Sequence, residues 1–172
     1  MAGPRRTGGI SHDGASAEQV FCALTGATKA ATARQGDAVL NGCNIEVKKA
    51  SAQTINQVRA VKYIPLVVFH EPTSTWYVVA AHVVVCLVSS KARGQHTENP
   101  FESATLNVFA LGKYKVAAPE DLKQATLQAI ADAERYPEMK AAMAAVLADS
   151  RALAAKSAAD VTALIARLQI VP

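Results

Sequence analysis

Aromatic residues are scarce in this chain of 172 residues, at 5% of the sequence, although 51% of its residues are hydrophobic. Cysteine is also scarce. Cys22, Cys43 and Cys86 are odd in number and show no CxxC spacing, which argues against a disulfide framework or a cysteine zinc site. We therefore expect reduced cysteines that pack among apolar residues.

A long hydrophobic run is lacking as well. The longest apolar stretch, YVVAAHVVVCLV at residues 77–88, contains His82 and is shorter than the roughly 20 residues that a membrane-spanning helix needs. Arg5 and Arg6 are followed by no apolar segment of the signal-peptide type. These absences predict a soluble, cytoplasmic protein that has no membrane partner.

Charge is unevenly distributed, although the net charge is only +4. Residues 29–115 contain ten Lys or Arg and five Asp or Glu, whereas residues 119–172 contain six and seven. Excess positive charge in the central region suits a polyanionic partner such as nucleic acid. An ordinary solvated surface is the alternative.

A chain of this length is expected to form a single domain. Glycine and proline mark residues 1–15 as a flexible N-terminal arm, and Ser16 is a candidate N-cap for the first helix of a domain at residues 16–172. Hydrophobic periodicity predicts two strands within 36–50, a helix at 53–62, strands at 64–70 and 75–81 and a helix from 82.

The last third of the chain, residues 119–172, is rich in alanine and is predicted to be a helical C-terminal extension of the same domain. Pro119 and Pro137 fit first-turn positions, where the missing N–H costs nothing. Apolar residues recur there at helical spacing. They either complete the core or form the face of a homodimer.

The stretch GDAVLNGCNIEVKKA, residues 36–50, predicts a β-hairpin, because Asn41-Gly42 is a strong signal for a two-residue type I′ turn. This turn sets a register in which Asp37 lies opposite Glu46, and alternation puts Lys48 on the same face. The opposite face is apolar and is formed by Ala38, Leu40, Cys43, Ile45 and Val47.

Two neighbouring carboxylates repel each other unless a cation or a proton lies between them. Mg²⁺ prefers oxygen ligands, including one or two carboxylates, and it can polarise a phosphate and activate a bound water. Asp37 and Glu46 are therefore candidate metal ligands, and Lys48 is a candidate for holding the water or stabilising the transition state. The alternative is a surface pair balanced by Lys48 and Lys49.

The same stretch, GDAVLNGCNIEVK, resembles the signature of the PD-(D/E)xK nuclease superfamily, with Gly36 in place of the proline. The similarity extends over residues 16–80. It implies an α/β (α+β), restriction-endonuclease-like fold in which helices flank a central mixed sheet. It also implies a magnesium site, at which Mn²⁺ can substitute, with Asp37, Glu46 and Lys48 as catalytic residues. Glu18 and Gln57 match accessory positions, Glu18 as a third metal ligand.

Several polar residues are candidates for contacts with double-stranded DNA. A loop at residues 89–107 contains side chains that can read bases, and basic residues near the hairpin can bind phosphates. The candidates are Lys91, Arg93, Gln95, His96 and Asn99 in the loop, and Lys29, Arg34, Lys49, Arg59 and Lys62 near the hairpin. For the loop, an ordinary polar connection is the alternative.

These expectations together predict a Mg²⁺-dependent endodeoxyribonuclease, foremost a type II restriction endonuclease that acts as a homodimer on a specific duplex sequence. A structure-specific nuclease of the same superfamily, such as a junction resolvase or repair nuclease, is one alternative. A nucleic-acid-binding module that keeps the fold without cleaving is another.

Overall fold

A computed structural model of the protein describes residues 9–148 and 154–172, and the side chains of residues 17–148 and 159–172. The strands are β1 (Thr28–Lys29), β2 (Ala38–Leu40), β3 (Cys43–Ala50), β4 (Thr54–Val58), β5 (Leu66–His70), β6 (Thr75–Val79) and β7 (Ala104–Asn107). The α-helices are α1 (Gly9–Thr25), α2 (Ala81–Ser89), α3 (Leu122–Ala133), α4 (Pro137–Ala148) and α5 (Ala154–Leu168), and 3-10 helices span Ala60–Lys62, Glu71–Thr73, Val108–Tyr114 and Pro119–Asp121. The predicted mixed α/β (α+β) fold class is confirmed.

The main sheet has five strands in the order β1-β2-β3-β5-β6. Neighbouring strands are antiparallel except β3 and β5, which are parallel. Helix α1 packs against β3 and α3, and α3 packs against β6. The hairpin that carries the candidate site therefore lies inside the sheet, beside α1.

The β2–β3 hairpin forms as predicted. Asn41 and Gly42 have φ angles of 51° and 77°, as the two central positions of a type I′ turn require. The register pairs Leu40 with Cys43, Val39 with Asn44 and Ala38 with Ile45. Burial of Ala38, Leu40, Ile45 and Val47 fixes this register, because a slip by one residue would expose them.

The predicted helix at residues 53–62 is wrong. Residues 54–58 form β4, which pairs with β7 in a separate two-stranded ribbon, and only Ala60–Lys62 is helical. The ladder shifts between Ile55 and Val58, and Gln57 has a φ of 56°. This bulge turns Ile55 and Val58 to the same buried side, so apolar residues three apart imitate a helical pattern.

The first helix begins earlier than expected. Helix α1 starts at Gly9, so Ser16 lies within it and is not its N-cap. Residues 9–15, which were assigned to the flexible arm, are helical, and residues 1–8 of that arm lie outside the described residues. Ala17 and Phe21 are buried against the core and hold α1 on the sheet.

The C-terminal third is helical where it is described. Pro137 begins α4, and Pro119 begins the 3-10 turn that leads into α3, as predicted. Residues 149–153 of the predicted extension lie outside the described part. Among the helices of residues 9–148 and 154–172, none is long and apolar enough to cross a bilayer.

Gly36 is the residue at which the chain enters the hairpin, and its conformation excludes other side chains. Its φ is 146°, and an added Cβ would lie 2.8 Å from the Ile45 carbonyl oxygen. Proline cannot adopt this φ, so this backbone conformation does not allow a proline at position 36. We expect Gly36→Ala to lower the free energy of unfolding by about 1–3 kcal/mol, measured by chemical denaturation.

Gly112 provides a matched control for that substitution, since an added Cβ there meets nothing within 4 Å. We expect Gly112→Ala to change the free energy of unfolding by less than about 1 kcal/mol. Equal effects of the two substitutions would contradict the tight approach at Gly36.

Candidate active site

Asp37 lies just before β2, where the regular ladder with β3 ends. Its backbone N–H donates to the Ile45 carbonyl oxygen at 2.9 Å, and its Oδ2 accepts from the Val47 N–H at 2.8 Å. The paired register begins only at Ala38. The expectation that Asp37 and Glu46 form a regular cross-strand pair is therefore wrong. Asp37 instead bonds to the residues on both sides of Glu46, which keeps it beside that residue.

Glu46 lies in the middle of β3 and is buried, with 7% of its surface exposed. Its carboxylate is held by two lysines: Oε1 lies 2.9 Å from the Lys48 Nζ, and Oε2 lies 2.7 Å from the Lys62 Nζ. Burial acts to raise the pKa of Glu46, but the two lysines outweigh it and the pKa is lowered. Glu46 is therefore held as a carboxylate.

Lys48 shares a face with Glu46, as the alternation of the strand predicts. Lys62 was expected to contact DNA phosphates, but its side chain is only 13% exposed and is engaged by Glu46 and by the Ala33 carbonyl oxygen at 3.3 Å. The contact of Lys62 with Glu46 could not be predicted from the sequence, because residues 53–62 were expected to form one helix and not a strand followed by a 3-10 turn. Lys62 belongs to the site.

Glu18, on α1, faces the hairpin. It lines a cavity of about 280 Å³ together with Gln19, Cys22, Lys29 and Asp37. Burial and, secondly, the charge of Asp37 raise the pKa of Glu18, while Lys29 and Lys48 act in the opposite direction. The carboxylate that the resemblance assigned to an accessory position thus lies within electrostatic reach of the hairpin acids.

The pKa of Asp37 is also raised. The largest cause is burial, and the charge of Glu46 adds to it, while the Val47 N–H, Lys48 and Lys62 lower the pKa. Ionised Asp37 is therefore in an unfavourable position in the folded protein. A cation near Asp37 and Glu18 would relieve that cost.

This raised pKa sets a dependence of stability on pH. Folded Asp37 holds its proton more tightly than unfolded Asp37. Ionisation of Asp37 therefore lowers the free energy of unfolding as the pH rises above the usual pKa of 3.8. Asp37→Asn removes the charge and keeps an oxygen for the Val47 N–H. We expect this variant to melt at a higher temperature than the wild type at about pH 7, and the difference to shrink at about pH 3. A variant that melts lower at neutral pH would contradict the raised pKa.

The three acids do not form a closed ligand set in this conformation. Within the part of the chain that is described, no three His, Cys, Asp or Glu side chains are grouped so that they could hold a metal ion. Both oxygens of Glu46 are paired with lysines, whereas Asp37 Oδ1 and the Glu18 carboxylate make no hydrogen bond or ion pair with another described residue. Asp37 and Glu18 are the acids with free oxygens.

Gln57 does not lie on a helix beside the site. It occupies the bulge of β4, where its backbone N–H donates to Gln95 Oε1 at 3.0 Å. Gln57 and Gln95 therefore link the ribbon to the loop at residues 89–107. Among the described residues, no hydrogen bond or ion pair joins either of them to Asp37, Glu46 or Lys48.

The candidates for base reading divide into two groups. Asn99 is only 3% exposed and its Oδ1 accepts from the Phe101 N–H at 2.9 Å, so it stabilises the loop and does not face a ligand. Gln95 Oε1 is likewise engaged, by the Gln57 N–H and by the Thr105 hydroxyl. Lys91, Arg93 and His96 are exposed.

The candidates for phosphate contacts also differ. Lys49 forms an ion pair with Glu71 at 2.7 Å, and Arg59 Nε donates to the Glu102 carbonyl oxygen at 3.1 Å. Lys29 and Arg34 are exposed, and Lys29 lines the same cavity as Glu18 and Asp37. Of these candidates, Lys29 is the one that lines the cavity, whereas Arg34 is exposed in the connection between β1 and β2.

The site thus combines a buried acid between two lysines with two further acids at an open cavity, and it draws on the hairpin, on α1 and on the turn that contains Lys62. Acids with shifted pKa values that line a cavity are candidates for a functional site. Comparison of the chain with protein-family models, with curated proteins and with solved structures found no match.

Proposed function

We propose that the protein is a Mg²⁺-dependent endodeoxyribonuclease of the PD-(D/E)xK type. The observation that carries the proposal is the geometry at the hairpin: Glu18 and Asp37 line one cavity, and Asp37 bonds to the residues on both sides of Glu46, whose carboxylate lies 2.9 Å from the Lys48 Nζ. A mixed sheet flanked by helices agrees with the fold that the resemblance implies.

Asp37 and Glu18 would hold the metal ion. Both line the same cavity, both retain free carboxylate oxygens and both have raised pKa values that a cation would lower. Mg²⁺ is commonly held by one or two protein carboxylates, with water and phosphate oxygens as its other ligands. When bound, it would polarise the scissile phosphate and acidify a water. Glu46 contributes differently from our expectation, as the ionised partner of two lysines.

Lys48 would act on the substrate directly. Its ammonium can donate a hydrogen bond to the attacking water or to a phosphate oxygen, where negative charge increases as the water oxygen bonds to phosphorus. In the hydrolysis the P–O bond to the leaving oxygen breaks, and that oxygen takes up a proton. The side chain of Lys48 is 26% exposed, so it is only partly buried.

Lys29, which lines the cavity, and Arg34, which follows it in the chain, would bind the DNA backbone. Both are exposed and lie in the segment that leads into β2. Contacts between basic side chains and phosphates give affinity and orientation without reading the sequence. Asn99 is buried, and the Gln95 side chain accepts a hydrogen bond from the Gln57 N–H. The remaining candidates for contacts with bases are the exposed residues Lys91, Arg93 and His96.

A panel of substrates tests the proposed function. Purified protein is incubated with supercoiled plasmid, linear duplex, a four-way junction and single-stranded RNA, in Mg²⁺ and in excess EDTA. A sequence-specific restriction endonuclease, which would act as a homodimer on double-stranded DNA, is expected to give discrete plasmid fragments only in Mg²⁺. Cleavage confined to the junction would favour a resolvase.

A non-catalytic nucleic-acid-binding module is the second candidate. The pairing of both Glu46 oxygens with lysines is the pattern of a structural ion cluster, which favours a role without catalysis, and exposed Lys29 and Lys91 could still bind phosphates. If no DNA or RNA form is cut although the wild type binds DNA, and if Lys48→Ala binds DNA as tightly as the wild type does, the nuclease proposal fails and the binding module stands.

A further inference from the structure

The turn that carries Lys62 is fixed at several points. Ala60 and Val61 are buried, and the Val61 N–H donates to the Phe101 carbonyl oxygen at 3.0 Å. The hydroxyl of Tyr63 donates to the carbonyl oxygens of Ala133 and Tyr136, at 3.1 and 3.3 Å. Lys62 therefore projects toward β3 from a rigid base.

The two lysines at Glu46 are held differently. Lys62 donates to Glu46 Oε2 and to the Ala33 carbonyl oxygen, and its side chain is 13% exposed. Lys48 is twice as exposed, at 26%, and Glu46 is its one hydrogen-bonded or ion-paired partner among the described residues. Lys62 is thus held by two acceptors, Glu46 and the Ala33 carbonyl oxygen, whereas Lys48 has to break only its contact with Glu46 to move to the substrate.

We infer that Lys62 is a positioning residue, which holds Glu46 in place and neutralises it so that Lys48 is free to act on the scissile phosphate. This inference rests on the proposed function. A buried carboxylate that loses its only counter-ion is strongly destabilised. With Lys62 in place, Glu46 keeps one counter-ion when Lys48 turns to the substrate.

Removal of Lys62 reverses this arrangement. In Lys62→Met, Lys48 becomes the only cation paired with Glu46 among the residues that the structure describes, so it is held at Glu46 and withdrawn from the substrate. We expect kcat to fall about 10–100-fold, which is the usual effect of removing a residue that orients the directly acting side chains. The KM for DNA should change little. Lys62→Arg keeps the charge and should recover most of the activity.

Acetylation of Lys48 provides a readout that needs neither metal nor cleavage. Wild-type, Lys62→Met and Lys62→Arg proteins are treated with an acetylating reagent, and the rate at Lys48 is followed by mass spectrometry relative to exposed Lys123. We expect Lys48 to react up to about fivefold more slowly in Lys62→Met, because it is bound more tightly to Glu46. Mere loosening of the structure would make Lys48 react faster.

The outcomes separate the inference from the function on which it rests. If the wild type cleaves DNA while Lys62→Met keeps its kcat or acetylates faster at Lys48, the positioning role is overturned. If the wild type cleaves no substrate, the proposed function fails, whatever the acetylation rates are. A thermal melt of each variant shows that it is folded, and if Lys62→Met does not fold, Lys62→Gln, which also removes the charge, carries the test with the same expected fall in kcat and in the acetylation rate at Lys48.

Discussion

The Asp37→Asn variant is expected to cleave DNA about 10²–10³ times more slowly than the wild type in Mg²⁺, the loss typical of removing one electrostatic contribution to a transition state. Asparagine has the shape of aspartate and can still accept the hydrogen bond of the Val47 N–H. The substitution therefore removes the charge and one potential metal ligand while the hairpin is preserved. Initial rates of plasmid cleavage measure the effect.

Asp121→Asn is the matched control, since Asp121 is exposed, ends the 3-10 turn before α3 and lies outside the cavity of Asp37 and Glu18. We expect it to cleave as the wild type does. Because Asp37→Asn is also expected to melt higher at neutral pH, loss of activity would coincide with a gain in stability. Full activity of Asp37→Asn would contradict the proposed role of Asp37 as a metal ligand.

The Phe21→Ala variant is expected to lose about 3–5 kcal/mol of unfolding free energy, the usual effect of truncating a buried phenylalanine. Phe21 is 0% exposed and belongs to the core cluster that joins α1 to the sheet. The same helix carries Glu18, so a shift of α1 would also move that carboxylate from Asp37. Denaturation by urea at constant pH gives the magnitude.

Val20 provides the control on the same helix, because it is 44% exposed. We expect Val20→Ala to cost less than about 1 kcal/mol. If the two variants were equally stable, the assigned packing of α1 against β3 would be wrong.

The hairpin could be predicted from the sequence because its signals are local. Asn41 and Gly42 determine the turn, the turn determines the register, and alternating apolar residues determine which face is buried. Asp37 departs from this regular pattern, since it bonds on both sides of Glu46 where the ladder has already ended. Gly36, with a φ of 146°, directly precedes this departure, and the sequence alone does not specify that angle.

The ribbon and the role of Lys62 could not be predicted in the same way. A bulge at Gln57 gave β4 the spacing of a helix, and its partner β7 lies about fifty residues away along the chain. Lys62 reaches Glu46 across 16 residues, and Asn99 is buried by contacts within its own loop. Such pairings are set by tertiary packing, so a polar residue in a loop could not be distinguished from one that contacts a ligand.

Cleavage of supercoiled plasmid by the wild type, Lys48→Ala and Lys123→Ala, each in Mg²⁺ and in excess EDTA, tests the proposed nuclease most directly. Lys123 is an exposed lysine on α3, so its substitution changes the net charge equally without touching the hairpin. We predict cleavage by the wild type and Lys123→Ala in Mg²⁺ only, and a loss of about 10²-fold or more in Lys48→Ala. Equal rates for Lys48→Ala and Lys123→Ala, or cleavage that persists in EDTA, would contradict a metal-dependent site at the β2–β3 hairpin.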